Sequence, residues 1–448
     1  MISTSEARAD TGLPSASKLI AAMSEGSLSA SQLVEQCLSR IRNVDGEIRA
    51  FVEVDADGAR SAAAAADAMA VVDRGRLNGL PVAVKEVFDV SGLHCGWGSP
   101  IHRDRVPSDD AEVVDRLRSA GAIVVGTTVS TEFAIAAPGP TVNPHDHART
   151  PGGSSSGPAA AVAAGMVPVA IGSQTVGSVV RPAAYCGIFG LKPTLGAIPG
   201  RGGMVLSPRL DHPGIFARSA RDLPLVCQAL FGRGPEDKTG TDIAAPAALP
   251  DVRDIHVLVS KSIPPDPVSP QSESAAELAA KCIAQAGATI EPFNFPRKYD
   301  AVFDTLHTIM THDMAAVHGE ARDRHGELMS DTLRSLIDHG RTIPRARYDD
   351  AVAMADDWRG EFEALLGSDA VLLTPAAVAT APLLDKGTGS NRPQALWSLL
   401  GLPVIAAPVA LHEGLPLAVQ MGAGPAREAC VIALATLFEG RALPEISP

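Results

Sequence analysis

Behind Ser29-Ala-Ser-Gln32, which has the spacing of a helix capping box, the apolar residues Leu33, Val34, Cys37, Leu38 and Ile41 recur at helical intervals. The pattern predicts a helical N-terminal arm over residues 1–75, with an alanine-rich helix around Ala62 to Val72. The run Leu80-Pro-Val-Ala-Val84 is short, apolar and bounded by Gly79 and a charge, as a buried strand would be, and Lys85 ends it. Asp109 to Ala120 reads as a capped helix stopping before Gly121, followed by the strand Ala122-Ile-Val-Val125. The same unit recurs as Ala159 to Ala164, with Gly165 as its stop, before Val167-Pro-Val-Ala-Ile171, and as Glu273 to Ala286 before Thr289-Ile290. Such alternation predicts an α/β fold, a parallel or mixed sheet covered by helices. The Pro- and Asp-rich stretch from Gly232 to Pro270 reads as a surface excursion around the strand Ile255-His-Val-Leu-Val259. Tyr299 to Leu366 is mostly helical, with His307, His312, His318, His325 and His339 on the polar background of those helices. Strands return at Ala370 to Thr374, Val404-Ile405 and Leu417 to Gln420, before a final helix near Glu428 to Leu437.

Composition narrows the function classes. With 448 residues, 46% of them hydrophobic and 20% charged, the chain can bury a large core. Its 38 Lys and Arg against 51 Asp and Glu give a net charge of −13, without the basic stripe that phosphate contacts need, so nucleic acid and anionic membranes are excluded as partners. The longest apolar stretch, Pro158 to Gly172, is shorter than a membrane span and is interrupted by Gly165 and Pro168. Met1 to Gly12 carries no apolar signal region, so a cytoplasmic location is expected. The six cysteines lie far apart with no CxxC pair, which argues for buried thiols rather than disulfides or zinc. No HExxH occurs among the scattered histidines, and no metal is expected.

The candidate chemistry lies in two glycine–serine loops, Pro151-Gly-Gly-Ser-Ser-Ser-Gly157 and Gly172-Ser-Gln-Thr-Val-Gly-Ser178, the second running into Val-Val-Arg-Pro-Ala-Ala-Tyr-Cys-Gly187. Each adjoins a predicted helix start, where free N–H groups can hold negative charge; the alternative is a pair of tight turns. Neither GxxxxGK[ST] nor GxGxxG is present, so a nucleotide site has no support. Lys85 either reaches solvent from its strand end or is desolvated there, and desolvation would lower its pKa toward that of a usable base. A neutral lysine can activate a serine, and Ser-Lys pairs are a known variant of nucleophilic catalysis.

Together these residues resemble the amidase signature family of serine hydrolases. The resemblance rests on Gly79-Leu-Pro-Val-Ala-Val-Lys85, on Pro151 to Gly157 and on through Gly187-Ile-Phe-Gly-Leu-Lys-Pro193. It continues in Leu210-Asp-His-Pro-Gly214, Thr374-Pro375, Gly401-Leu-Pro403 and Gly414-Leu-Pro-Leu-Ala-Val-Gln420, and so covers nearly the whole chain. It implies one domain over residues 1–448, with a catalytic core at 80–230, a cap-like helical region at 299–366 and a return to the sheet at 368–448. By the same resemblance Ser178 is the nucleophile, Ser154 a bridging serine at a cis peptide bond, and Lys85 the base that draws the proton through Ser154. The oxyanion donors would be the N–H groups of Thr175, Val176, Gly177 and Ser178.

Three positions depart from the family pattern. Gln174-Thr-Val-Gly-Ser178 stands where many relatives carry Asp-Thr-Gly-Gly-Ser, Val176 would be strained if its position needs φ > 0, and Pro158 replaces a small polar residue at a helix start. The Gln174 form with Ser-Val-Val-Arg181-Pro is similar to the malonamidase-like branch, which makes Gln174 and Arg181 candidate substrate-binding residues. Arg181 would clamp a substrate carboxylate or be a structural arginine. The expected function is cofactor-free hydrolysis of acyl C–N bonds in amides, anilides or carbamates (urethanes) through an acyl-enzyme on Ser178. The alternatives are a hydrolase of small carboxylate-bearing amides, malonamate-like, or the glutaminase subunit of a tRNA-dependent amidotransferase, which would need a partner protein. The compact length and the departures at Gln174 and Val176 weigh against the last. A homodimer is compatible with the sequence. Specificity is expected from Phe133 to Pro140, Arg201 to Leu210 and the 299–366 helices.

Overall fold

The computed structural model describes residues 13–233, 243–263 and 267–446. They form a single α/β domain around one mixed sheet of eleven strands in the order β1-β3-β2-β4-β6-β5-β10-β11-β9-β7-β8. In chain order the strands are β1 (Phe51–Val54), β2 (Pro81–Lys85), β3 (Ile123–Thr128), β4 (Val169–Gln174), β5 (Phe189–Lys192), β6 (His212–Ala217), β7 (His256–Val259), β8 (Thr289–Pro292), β9 (Ala370–Pro375), β10 (Val404–His412) and β11 (Leu415–Ala423). Strands β2, β3, β5, β6, β9 and β11 are buried along their whole length, which is why the central ones read as near-continuous apolar runs rather than alternating ones.

Helices cover both faces. The N-terminal arm is α1 (Ala16–Ser24), α2 (Ala30–Ile48) and α3 (Ala56–Ala68). The Ser29–Gln32 capping box forms as the sequence predicts. Two carboxylates fasten the arm: Asp222, from outside it, accepts the N–H groups of Ala16 (2.7 Å) and Ser17 (2.9 Å), and Asp67 of α3 those of Ala30 (2.6 Å) and Ser31 (3.0 Å). Each places a negative charge on a positive helix end. Helix α3 starts earlier than its alanines suggest, because Asp55 caps it through the Gly58 N–H.

The next helices are α4 (Glu112–Ser119), α5 (Ser156–Ala163), α6 (Val180–Cys186), α7 (Leu223–Leu230) and α8 (Pro270–Gln285). Helix α4 begins three residues later than Asp109, with Ala111 at its N-cap and no side-chain cap. Asp110 is used otherwise, accepting from Ser91 N at 2.7 Å and pairing with Arg118 at 2.8 Å. The strand inside the Gly232 to Pro270 excursion is β7; residues 234–242 and 264–266 of that stretch, and Met1 to Gly12, lie outside the described residues.

The long helical segment is α9 (Val302–His325), α10 (Asp331–Arg341) and α11 (Arg345–Leu366), followed by α12 (Ala395–Leu399) and α13 (Glu428–Ala435). His318 corrects the sequence reading of a polar background. It is buried, its ring meets Phe133 edge-on at 5.0 Å, and its Nε2 lies 2.7 Å from the Val205 carbonyl. Helices α9 and α10 touch at Gly340, where a Cβ would stand 1.9 Å from the Thr311 carbonyl oxygen. Gly340→Ala is therefore expected to destabilise the fold by about 1–3 kcal/mol through overpacking, read by denaturant unfolding. A variant as stable as the native chain would mean that the two helices separate freely. Among the described residues no helix is long and apolar enough to cross a membrane. Five of the six cysteines are buried and free, and Cys282 is half-buried and free.

Candidate active site

Strands β3, β2 and β4 are parallel neighbours, with Val84 in register with Ile171 and Lys85 with Thr128. Their carboxyl ends therefore open at one edge of the sheet, the place where α/β sheets bind ligands. That edge brings together Lys85 and Glu86 after β2, Ser130 and Thr131 after β3, and the loop Thr175 to Val179 that joins β4 to α6.

Lys85 is fully buried, so its strand-end position does not take it to solvent. Its Nζ lies 2.8 Å from Ser154 Oγ and 2.9 Å from Ser173 Oγ. Burial lowers its pKa to about 7, against the opposing pull of the Glu86 and Asp211 charges. Glu86 is itself buried, which raises its carboxyl pKa, while the N–H groups of Ser130, Gly98 and Gly96 favour the ionised form. Sequence reasoning missed Ser173. Its signal was its place in β4, beside the strand that Lys85 ends.

Ser154 follows a cis peptide bond from Gly153. The preceding Gly152 has φ +84°, and a Cβ there would stand 2.8 Å from Pro182 Cα, so only glycine fits. Arg181 holds this turn from behind. Its Nε and Nη2 donate to the Gly153 carbonyl at 3.2 and 2.6 Å, and its Nη1 to the Gly389 carbonyl at 2.5 Å. Burial pulls the guanidinium pKa down to about 10. Of the two roles open to Arg181, the structural one is thus the one its hydrogen bonds make, bracing the peptide that carries Ser154.

Gln174 requires a correction. It is fully buried at the end of β4, its Oε1 accepting the N–H groups of Val179 (2.9 Å) and Val180 (3.0 Å) and its Nε2 donating to Ser398 Oγ (3.0 Å). The Ser398 hydroxyl in turn donates to the Val176 carbonyl at 2.7 Å. The side chain is committed to shaping the loop that carries Ser178. Gln174→Ala should strand these buried donors and destabilise the fold by on the order of 3 kcal/mol, with kcat falling more than KM rises. An undiminished unfolding midpoint and a KM effect alone would restore the binding role.

Val176 is buried but is absent from the positive-φ residues, so the β-branched side chain sits there without backbone strain. Gly177 cannot be replaced so easily: a Cβ would meet Gln394 Oε1 at 2.5 Å. Pro158 occupies the first turn of α5, where its missing N–H has no helical partner to lose. Thr175 donates through Oγ1 to Asp211 Oδ1 at 2.6 Å, and Ser178 itself is buried just ahead of α6.

Against this edge lies a cavity of about 620 Å³, a volume typical of small-molecule sites. Ser173, Thr175 and Asp211 belong to its lining, whereas Ser178, Ser154 and Lys85 do not. The segments expected to shape specificity do line it: Ala134, the stretch around Arg201 to Leu210, and Ile309, Ala355 and Arg359 from α9 and α11.

The sequence profile described as Amidase matches residues 32–432. A glutamyl-tRNA(Gln) amidotransferase subunit of Koribacter versatilis (strain Ellin345) is 30% identical over 93% of this chain and 96% of its own. The native peptide amidase of Stenotrophomonas maltophilia superposes with a TM-score of 0.83 at 26% identity, over 95% of this chain and 96% of that one. A chain from a vestigial protein complex connected with the evolutionary origins of an s-triazine catabolic enzyme superposes with a TM-score of 0.86 at 28% identity, over 96% and 99%. With the profile matched over most of its length and this fold beneath it, the chain belongs to the amidase (amidase signature) family.

Proposed function

We propose that the chain hydrolyses acyl C–N bonds in small amides, anilides or carbamates, with Ser178 as nucleophile, Ser154 as proton bridge and Lys85 as base. The observation that carries this reading is the buried Lys85 Nζ at 2.8 Å from Ser154 Oγ. In its neutral form the amine takes the Ser154 proton while Ser154 takes that of Ser178, whose Oγ bonds to the carbonyl carbon. The N–H groups of Thr175, Val176, Gly177 and Ser178 receive the oxyanion, each such donor being worth about 10²–10³ in rate. The C–N bond then breaks, the leaving nitrogen takes the proton back through Ser154, and water hydrolyses the acyl group from Ser178.

The test is release of aromatic amine from amides, anilides and carbamates, with and without a terminal carboxylate, comparing the native chain with Ser178→Ala. Release by the native chain alone supports the reading, and silence on every member overturns it. Because Arg181 spends its hydrogen bonds on main-chain carbonyls, acid-bearing members should have no advantage.

A second reading, the glutaminase subunit of a tRNA-dependent amidotransferase, is favoured by relatives such as the Koribacter versatilis protein. Length does not weigh against it, since the chain covers 96% of that relative. Ammonia release from glutamine that depends on a co-purified second protein would favour it over hydrolysis by the chain alone.

A further inference from the structure

We infer that Asp211 is a positioning residue: it clamps the cavity wall at residues 206–211 to the loop that carries Ser178, and its charge faces the Lys85 amine. This deepens the proposed reaction and rests on Lys85 being its base. One Asp211 carboxylate gathers three donors. Thr175 Oγ1 gives to Oδ1 at 2.6 Å, and the N–H groups of Leu206 and Ser207 give to Oδ2 at 2.7 and 2.9 Å. The Asp211 N–H returns to the Ser207 carbonyl at 3.0 Å, closing the turn on itself. All three partners donate to an ionised carboxylate; an asparagine could keep the two N–H bonds through its amide oxygen only by turning its NH2 toward Thr175 Oγ1, which reverses that bond and removes the charge. The residue also lines the cavity, beside Ser173 and Thr175.

The charges around this group come from three elements. Asp313 of α9 accepts the Ser207 hydroxyl at 2.5 Å and faces Asp211 as a like charge, and Tyr348 of α11 lies against Asp313. Lys85 at the end of β2 is faced by the two carboxylates Glu86 and Asp211. Burial raises the Asp211 pKa to about 6, so above that pH its charge favours the protonated lysine.

The consequence is a readout that mere structural support would not give. The neutral lysine is the working form, so kcat/KM rises as pH increases through the lysine pKa. Without the Asp211 charge the lysine gives up its proton more readily, and that rise should move to lower pH by on the order of one unit. The experiment uses the full chain and the fastest substrate of the amine-release panel. Asp211→Asn is expected to lower kcat by about tenfold to a hundredfold through misplacement of the loop, and to shift the rise toward acid. Thr175→Val keeps the carboxylate and its main-chain donors, and should lower kcat about tenfold with the rise unmoved. An Asp211→Asn profile that keeps the native position overturns the inference. Where that variant does not fold, Thr175→Val decides: reduced kcat supports the clamp, and native kcat overturns it. Failure of the underlying reaction shows differently, as absence of Ser178-dependent release by the native chain.

Discussion

Ser178→Ala is expected to remove essentially all turnover, lowering kcat by on the order of 10⁴ or more, because the proposed reaction places the acyl intermediate on this hydroxyl. The residue is well placed for this. It is buried directly ahead of α6, on a loop held from three sides: by Gln174 at the Val179 and Val180 N–H groups, by Ser398 at the Val176 carbonyl, and by Asp211 at the Thr175 hydroxyl. Since none of these bonds uses the Ser178 hydroxyl, the variant should fold as stably as the native chain and still bind substrate. A measurable KM or inhibitor constant near the native value, with kcat at the background of the buffer, is the expected pattern. Substantial residual kcat would move the nucleophile elsewhere, with Ser154 and Ser173 as the hydroxyls in contact with Lys85.

Lys85→Met should be nearly as damaging, with a loss of about 10²–10⁴ in kcat, the range for a lost general base. Methionine fills a comparable space without the amine, and the site is already dry enough to accept it, because Lys85 is fully buried. The pH dependence separates this from a packing fault. Burial holds the native lysine near pKa 7, below the ordinary lysine value, because the charged form is the one that loses hydration. Below that pH the amine is protonated and cannot take the Ser154 proton; above it the amine is free. Native kcat/KM should therefore climb tenfold per pH unit on the acid side and level off above about 7, while any residual Lys85→Met activity loses that limb. A variant that keeps the same limb would assign it to another group, Asp211 first, whose pKa lies at about 6.

What could be read from sequence followed periodicity and local chemistry. The β2 and β4 runs were legible because both faces are buried, and α2 because Ser29 and Gln32 sit at fixed spacing. Strand β6 was not, since Pro213 and Gly214 break any strand pattern; Pro213 lies opposite Ser173, and the strand is defined by its pairing with β4 and β5. Likewise Val404-Ile405 was visible only as the tip of a nine-residue strand whose register shifts between Pro408 and Ala410. At the site, the motif residues Lys85, Ser154 and Ser178 were singled out through a resemblance that spans the chain. The network that fixes them was not, because its links join residues far apart: Thr175 to Asp211, Gln174 to Ser398, Arg181 to Gly389. Gln174 and Arg181 stand beside the nucleophile in sequence, which suggested substrate contacts. Their side chains turn inward instead, because unpaired buried N–H and carbonyl groups of the loop and the Ser154 turn demand partners.

Catalysis through Ser178 is tested most sharply by catching the intermediate. Intact-mass measurement of the chain mixed with a slowly deacylating aryl carbamate or ester should show one added acyl group, mapped by peptide fragmentation to Ser178 and lost in Ser178→Ala. An adduct on Ser154 or Ser173, or steady hydrolysis with no adduct on any serine, would contradict an acyl-enzyme on Ser178.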